Sequence, residues 1–177
     1  MGIVKERFKE KSDAANIEIK NLLKEHGNKV IGEVTLSQIY QGMRGMTGLV
    51  TETSLLDAQE GIRFRGFSIP ELQQKLPKAN GGAEPLPEGL FYLMLIGELP
   101  TMDDVNHITN VWQRRSHVPS HVFSAIDSLP LYAHPMTMFV IGVMALQTEG
   151  HFVKEYSNGI NKKDYWNSVY DDCMDLI

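Results

Sequence analysis

Residues 42–66 read GMRGMTGLVTETSLLDAQEGIRFRG, and this run constrains the fold more than any other part of the chain. Glycines recur every three residues at positions 42, 45 and 48, around a single arginine, Arg44. An apolar stretch, a short acidic turn and a second apolar stretch follow. This order predicts a glycine-rich loop that leads into a β-hairpin, with strands at 49–56 and 62–67 on either side of the turn DAQEG.

The second predicted strand places two arginines on one face. Side chains alternate along a strand, so Ile62 and Phe64 face one side, and Arg63 and Arg65 face the other. Such a pair could form an anion site, but it is more typical of the solvent-exposed side of a hairpin. We therefore assign neither arginine to a ligand.

Helical patterns dominate the rest of the chain. Apolar residues recur every three or four positions in the first 23 residues, and Gly27 is well placed to end that helix. Ser68 with Glu71, and Thr101 with Asp104, have the spacing of helix-capping boxes. Further helices are predicted to begin near residues 88, 120, 135 and 162. The predicted fold class is all-α, with a small β-hairpin near residues 49–67.

The longest apolar run, MTMFVIGVMAL at 136–146, has a length that argues against a membrane span. Its residues fall well short of the roughly 20 that a bilayer requires. The run therefore predicts a deeply buried helix and no membrane insertion. Its methionines, Met136, Met138 and Met144, would suit a surface that adapts to a partner helix, although an ordinary core helix explains them equally well.

Charge and cysteine content limit the classes of partner and compartment. The net charge of −5 does not provide the basic surface that nucleic acid or an anionic membrane requires, so neither partner is expected. A single cysteine, Cys173, favours a reducing compartment. The first residues, MGIVKERFKEKSD, lack the apolar core of a secretory signal and contain acidic residues that a mitochondrial presequence normally avoids.

Several motifs together resemble citrate synthase of the eukaryotic, mitochondrial type. They are the glycine-rich run at 42–66, PEGLFYLMLIGELPT at 87–101, VPSHV at 118–122, AHPM at 133–136 and DCMDLI at 172–177. The resemblance covers nearly the whole chain without a visible shift in register. It implies the amino-terminal part, residues 1–177, of a large helical domain, with the catalytic remainder and the small domain outside this chain.

The resemblance also implies two contacts with coenzyme A. Arg44 matches an arginine that helps to bind the coenzyme A phosphates, and flanking glycines would let such a loop approach a ligand closely. Lys162 matches a second arginine with the same role, and the lysine keeps the charge but not the bidentate geometry. From residue pattern alone, both positions are more typical of solvated side chains.

The activity that the resemblance implies is condensation of acetyl-CoA with oxaloacetate to give citrate and coenzyme A, in the tricarboxylic acid cycle. By resemblance, every catalytic residue lies beyond Ile177, so this chain has none and is expected to be inactive alone. No cofactor is expected, since the coenzyme A thioester is a substrate. The resemblance also implies a homodimer in the mitochondrial matrix.

The six histidines do not form a recognisable metal or catalytic pattern. His117 and His121 have the four-residue spacing of a helical metal pair, but Pro119 should keep them off one continuous helix. No metal site is expected. His134 precedes Pro135 and is expected to be a buried, hydrogen-bonded structural residue.

One non-catalytic alternative fits the same motifs. A truncated paralogue could keep the helical scaffold and act as a structural or assembly subunit. The last predicted helix favours a fragment of an enzyme instead, because its apolar face persists to the final residues Leu176 and Ile177 without a capping residue.

Overall fold

The computed structural model describes residues 2–177, which form mainly helices and one small sheet. The helices are α1 (Ile3–His26), α2 (Leu36–Tyr40), α3 (Ile69–Lys75), α4 (Pro87–Ile96), α5 (Met102–Arg115), α6 (Ser120–Asp127), α7 (Pro135–Leu146), α8 (His151–Ser157) and α9 (Tyr165–Leu176). The strands are β1 (Ser54–Asp57), β2 (Gly61–Phe64) and β3 (Phe67–Ser68), and 3₁₀ turns cover Gln147–Glu149 and Lys162–Asp164. The predicted helical fold class is confirmed.

The chain divides into two compact units, one ending at Val105 and the other covering Asn106–Ile177. The boundary falls within helix α5 rather than in a linker. Each unit is described separately below.

The sheet of the first unit has three antiparallel strands in the order β1–β2–β3, rather than the two predicted. In the hairpin, Ser54 pairs with Phe64 and Leu56 pairs with Ile62. The predicted first strand at 49–56 is too long, because residues 49–53 are irregular. The β1–β2 ladder begins at the pair Ser54–Phe64, and before it the carbonyl oxygen of Thr53 accepts a hydrogen bond of 2.9 Å from the N–H of Arg65 in the following turn.

The prediction that Arg65 shares a strand face with Arg63 is wrong. Arg65 and Gly66 form the two-residue turn between β2 and β3, with φ angles of 48° and 86°. Two consecutive positive φ angles are the signature of a type I′ turn, which matches the right-handed twist of the flanking strands. Arg65 therefore lies outside the ladder, and only Arg63 lies on the strand.

The core of the first unit lies where the sheet meets α3 and α4. Leu72, Leu76 and Leu93 are buried there, against Phe64 and Phe67. Both predicted capping boxes are present: one joins Ser68 and Glu71, and the other joins Thr101 and Asp104. These caps satisfy backbone N–H groups that the first helical turn leaves unpaired.

Helix α1 packs only through its amino-terminal part. Val4 is fully buried, and Arg7 donates to the hydroxyl of Tyr92 and, at 2.9 Å, to the carboxylate of Asp104. Farther along, the apolar residues Ile19, Leu22 and Leu23 are more than half exposed. Gly27 ends the helix as predicted, with a right-handed φ of −60°.

In the second unit, α6 and α7 approach each other closely at a glycine. A Cβ atom at Gly142 would lie 3.1 Å from Cδ1 of Ile126, so a larger residue there would require the Ile126 side chain to shift by a few tenths of an ångström. The expectation that α7 is deeply buried is wrong for this chain. Its side chains at Met136, Phe139 and Met144 are 58–66% exposed, because only one side of the helix packs within the unit.

No single helix within residues 2–177 is both long enough and apolar enough to cross a membrane. Pro135–Glu149 and His151–Ser157 meet those criteria only when taken together, as a pair bent by 45°.

Candidate functional site

The glycine-rich loop that carries Arg44 has an unusual backbone. Gly42, Met43 and Gly45 all have positive φ, at 75°, 62° and 74°. Met43 has a Cβ in this left-handed region, where non-glycine residues are uncommon. The loop therefore turns tightly on both sides of Arg44.

Helix α2 anchors this loop. Its capping box joins Thr35 and Gln38, and the carbonyl oxygen of Gln38 accepts a hydrogen bond of 2.8 Å from the N–H of Met43. The Arg44 side chain is exposed and, within residues 2–177, forms no hydrogen bond or ion pair. An exposed guanidinium without an internal carboxylate keeps its donors available for an anion.

Lys162 lies in the second unit, at the start of the 3₁₀ turn Lys162–Asp164 that leads into α9. The side chain of Asn161 caps this turn by accepting a hydrogen bond of 3.1 Å from the N–H of Lys163. Lys162 and Lys163 are both exposed. The prediction that the last helix begins near Lys162 is confirmed, because regular α-helix starts at Tyr165.

The histidines have structural contacts. His117 lies between α5 and α6, so it shares no helix with His121, as Pro119 predicts. Nε2 of His121 lies 3.1 Å from the carbonyl oxygen of Ala145. His134 caps α7 by accepting a hydrogen bond from the N–H of Met136, but it is exposed, and the expectation of burial is wrong. A histidine placed before the first helical turn can form this cap without burial.

Within residues 2–177, no group of three or more histidine, cysteine, aspartate or glutamate side chains is arranged to hold a metal ion.

The second unit contains a cleft that the sequence did not indicate. It has a volume of about 520 Å³ and is lined by residues from the end of α5, α7, α8 and the last turn of α9. Its apolar walls include Leu146, Phe152, Val153 and Leu176. We refer to it below as the α9 cleft.

Ion pairs surround the α9 cleft. Arg115 donates to the carboxylates of Asp171, at 3.0 Å, and Asp175, at 2.7 Å, and Nε2 of His151 lies 3.0 Å from the other oxygen of Asp175. Burial lowers the pKa of Arg115, but the two carboxylates outweigh burial and raise it. Asp172 accepts from the N–H groups of His151 and Phe152, and so caps the start of α8.

One sequence signal for this network exists. Asp171 and Asp175 are four residues apart, so a helix places them on one face, next to a cation from the last turn of α5. Sequence spacing does not identify that cation, because Arg115 is 56 residues away from Asp171.

Comparison with known proteins identifies the family. The family model described as "Citrate synthase, C-terminal domain" matches residues 42–177. The citrate synthase, mitochondrial, of Aspergillus niger is 55% identical over 174 residues, which cover 98% of this chain and 37% of that protein. The protein of the same name from Saccharomyces cerevisiae is 52% identical over 174 residues, covering 98% and 36%.

A third relative shows the same pattern. The citrate synthase, mitochondrial, of Xiphias gladius is 51% identical over 159 residues, which cover 90% of this chain and 34% of that protein. The chain thus spans about a third of the length of the curated relatives that it matches. Because the family model covers more than half of its residues, the chain belongs to the citrate synthase family.

Proposed function

We propose that this chain is part of a longer protein that condenses acetyl-CoA with oxaloacetate to form citrate and coenzyme A. The observation that carries this proposal is 55% identity to a mitochondrial citrate synthase over 98% of the chain. The names of the relatives also support a mitochondrial location. Within the mitochondrion, we propose the matrix. In this proposal the coenzyme A thioester is a substrate, and no separate cofactor takes part.

Within that protein, residues 1–177 are the amino-terminal part of the large helical domain. The catalytic residues and the small domain belong to the remaining polypeptide. The relatives have about two thirds of their length outside the match, which is enough for both. The chain alone is therefore inactive in our proposal.

Arg44 and Lys162 are proposed to bind the phosphates of coenzyme A. Two properties of Arg44 support its role: the side chain is exposed and unpaired within residues 2–177, and the positive φ angles of Gly42 and Gly45 hold the loop in a tight turn. Lys162 is exposed and contributes a single compact charge. Arg44 should therefore contribute more to phosphate binding than Lys162.

Helix α7 is proposed to pack against a second copy of the chain in a homodimer. Met136, Val140 and Met144 are four residues apart, Phe139 follows Met136 by three residues, and all four side chains are 54–66% exposed. Side chains at this spacing lie on one face of a helix. A contiguous apolar face of this kind is typical of a protein interface.

Citrate formation by the longer protein tests the proposed function. The protein is isolated from its source and supplied with acetyl-CoA and oxaloacetate, and the release of free thiol and of citrate is measured. Equal amounts of both products are expected, and the 177-residue chain assayed alongside should give neither. A longer protein that produces no citrate would instead favour a non-catalytic scaffold.

A further inference from the structure

We propose that Asn80 is a site of spontaneous deamidation, whereas backbone hydrogen bonds protect Asn158 from the same reaction. In the sequence, these two asparagines are the ones that glycine follows, as Asn80–Gly81 and Asn158–Gly159. The dipeptides are identical, so their different reactivity comes from the fold. This inference does not depend on the proposed function.

Deamidation requires the backbone nitrogen of the following residue as its nucleophile. That nitrogen loses its proton and attacks Cγ of the asparagine, so a new C–N bond closes a cyclic imide. The bond between Cγ and the side-chain nitrogen breaks, and the side-chain nitrogen leaves with the proton as ammonia. Water then opens the ring at either carbonyl and gives aspartate or isoaspartate. Glycine favours the attack because it has no Cβ to obstruct the approach.

The two sites are alike in exposure and local backbone. Both asparagines and both glycines are exposed. The φ angle is 75° at Gly81 and 80° at Gly159. At either glycine, no atom outside the adjacent residues lies within 4 Å of the place that a Cβ would occupy. Steric access therefore does not distinguish Asn80 from Asn158.

Hydrogen bonding of the attacking nitrogen does distinguish the two sites. At the end of α8, the N–H of Gly159 donates to the carbonyl oxygen of Tyr156 at 3.1 Å. The N–H of Ile160 donates to the carbonyl oxygen of Glu155, also at 3.1 Å. These two bonds form a Schellman motif, which satisfies the last carbonyl groups of the helix. The nitrogen of Gly159 must therefore be released by local opening before it can react.

The corresponding nitrogen at Gly81 has no such bond. Between α3 and α4, the N–H of Gly82 donates to the carbonyl oxygen of Ala79 at 2.8 Å and closes a β-turn around Asn80 and Gly81. Within residues 2–177, the N–H of Gly81 itself donates no hydrogen bond. No structure has to open before this nitrogen attacks Asn80.

Peptide mapping of the native protein that contains this sequence tests the inference. The purified protein is incubated at mildly alkaline pH, and mass spectrometry follows the deamidated fraction of the peptides that contain Asn80 and Asn158. Methylation by protein isoaspartyl methyltransferase identifies the isoaspartate product. We expect Asn80 to react about tenfold faster than Asn158, the factor that corresponds to about 1.4 kcal/mol of local opening at Gly159. Equal rates, a faster reaction at Asn158, or no reaction at Asn80 would overturn the inference.

The same protein unfolded in guanidinium chloride is the matched control. Unfolding removes the hydrogen bond of Gly159, so the two rates should become similar. A tenfold difference that persists after unfolding would place its cause in the neighbouring sequence and overturn the role of the fold. In the native protein, Asn80→Gln should remove the product from its peptide, because glutamine closes the larger ring much more slowly. A product that persists in this variant would contradict the assignment to Asn80.

Discussion

The guanidinium of Arg65 donates two hydrogen bonds to the carbonyl oxygen of Met94, at 3.2 Å from Nε and 2.7 Å from a terminal nitrogen. That carbonyl lies in the last turn of α4, where backbone acceptors have no intrahelical partner. Gly97, with φ of 84°, then ends the helix. The turn between β2 and β3 therefore stabilises the end of a core helix.

Replacing Arg65 should test the contribution of this contact to stability. Arg65→Ala removes both hydrogen bonds and leaves a Cβ at positive φ, so we expect the free energy of unfolding to fall by about 1–3 kcal/mol. Arg65→Gly removes the same bonds but relieves the backbone strain, so its loss should be smaller. Urea denaturation followed by circular dichroism measures both.

Arg63→Ala is the matched control for the Arg65 variants. Arg63 pairs with Glu60 and donates a hydrogen bond of 3.0 Å to the carbonyl oxygen of Gly66, both at the surface. Exposed contacts of this kind contribute about 0–1 kcal/mol. If Arg63→Ala lowers the free energy of unfolding as much as Arg65→Ala does, the hydrogen bonds to Met94 contribute no more to stability than exposed contacts do.

Asp104 should make the stability depend on pH in the acidic range. Burial raises the pKa of Asp104, but hydrogen bonds from Thr101 and the charge of Arg7 outweigh it and lower the pKa. A carboxyl group whose pKa is lower in the folded state stabilises the protein above its unfolded pKa, and this contribution is lost as the pH falls. The loss should therefore begin below about pH 4.

Asp104→Asn isolates this contribution from other carboxylates. At neutral pH we expect it to reduce the free energy of unfolding by about 1–3 kcal/mol, since a nearly buried, hydrogen-bonded charge is lost. The difference between the two proteins should shrink as the pH falls from 6 to 3. A difference that stays constant over this range would contradict the lowered pKa of Asp104.

Arg44 should affect the acetyl-CoA dependence of the longer protein. We expect Arg44→Ala to raise the KM for acetyl-CoA by about fivefold, the factor that corresponds to roughly 1 kcal/mol, and to leave the KM for oxaloacetate nearly unchanged. Steady-state kinetics with each substrate varied in turn measures this. Lys29→Ala removes another exposed cation from the same unit and should change neither constant. An unchanged acetyl-CoA dependence in Arg44→Ala would mean that Arg44 is only a solvated loop residue.

Phe139 should affect the oligomeric state. It is 63% exposed on the apolar face of α7, so Phe139→Glu would place a charge in the proposed interface and weaken the dimer. Sedimentation velocity should then show a monomer for this variant. Gln74→Glu adds the same charge at an exposed position of α3 and should remain dimeric. A dimer that persists in Phe139→Glu would exclude this face of α7 from the interface.

Local sequence signals predicted the helix boundaries well. The capping box of Ser68 and Glu71, the proline before Ser120 and the glycine at position 27 each act through contacts within a few residues. Such contacts form in the same way in different folds, so their residues can be recognised without the structure.

Features that depend on distant contacts were not predictable in the same way. The reassignment of Arg65 from strand to turn depends on Gly66 and on a carbonyl 29 residues away. The exposure of α7 depends on what packs beside it, and an apolar run alone does not distinguish a core helix from an interface helix. The α9 cleft joins Arg115 with residues from the end of the chain, and hydrophobic periodicity does not report that proximity.

The assignment of Arg44 and Lys162 to the candidate site rests on the resemblance to citrate synthases more than on residue pattern. From residue pattern alone, Arg44 and Lys162 are predicted to be ordinary solvated residues. The structure places both on the surface, each in a capped turn or loop. Their proposed role in binding coenzyme A remains a prediction.

The intact mass of the native protein that contains this sequence tests the central claim most directly. We expect a mass more than twice 20.0 kDa, because the relatives are nearly three times as long as the segment that they share with this chain. Such a mass would leave room for the catalytic residues of a citrate synthase. A native mass near 20.0 kDa would contradict the claim and indicate a non-catalytic member of the family.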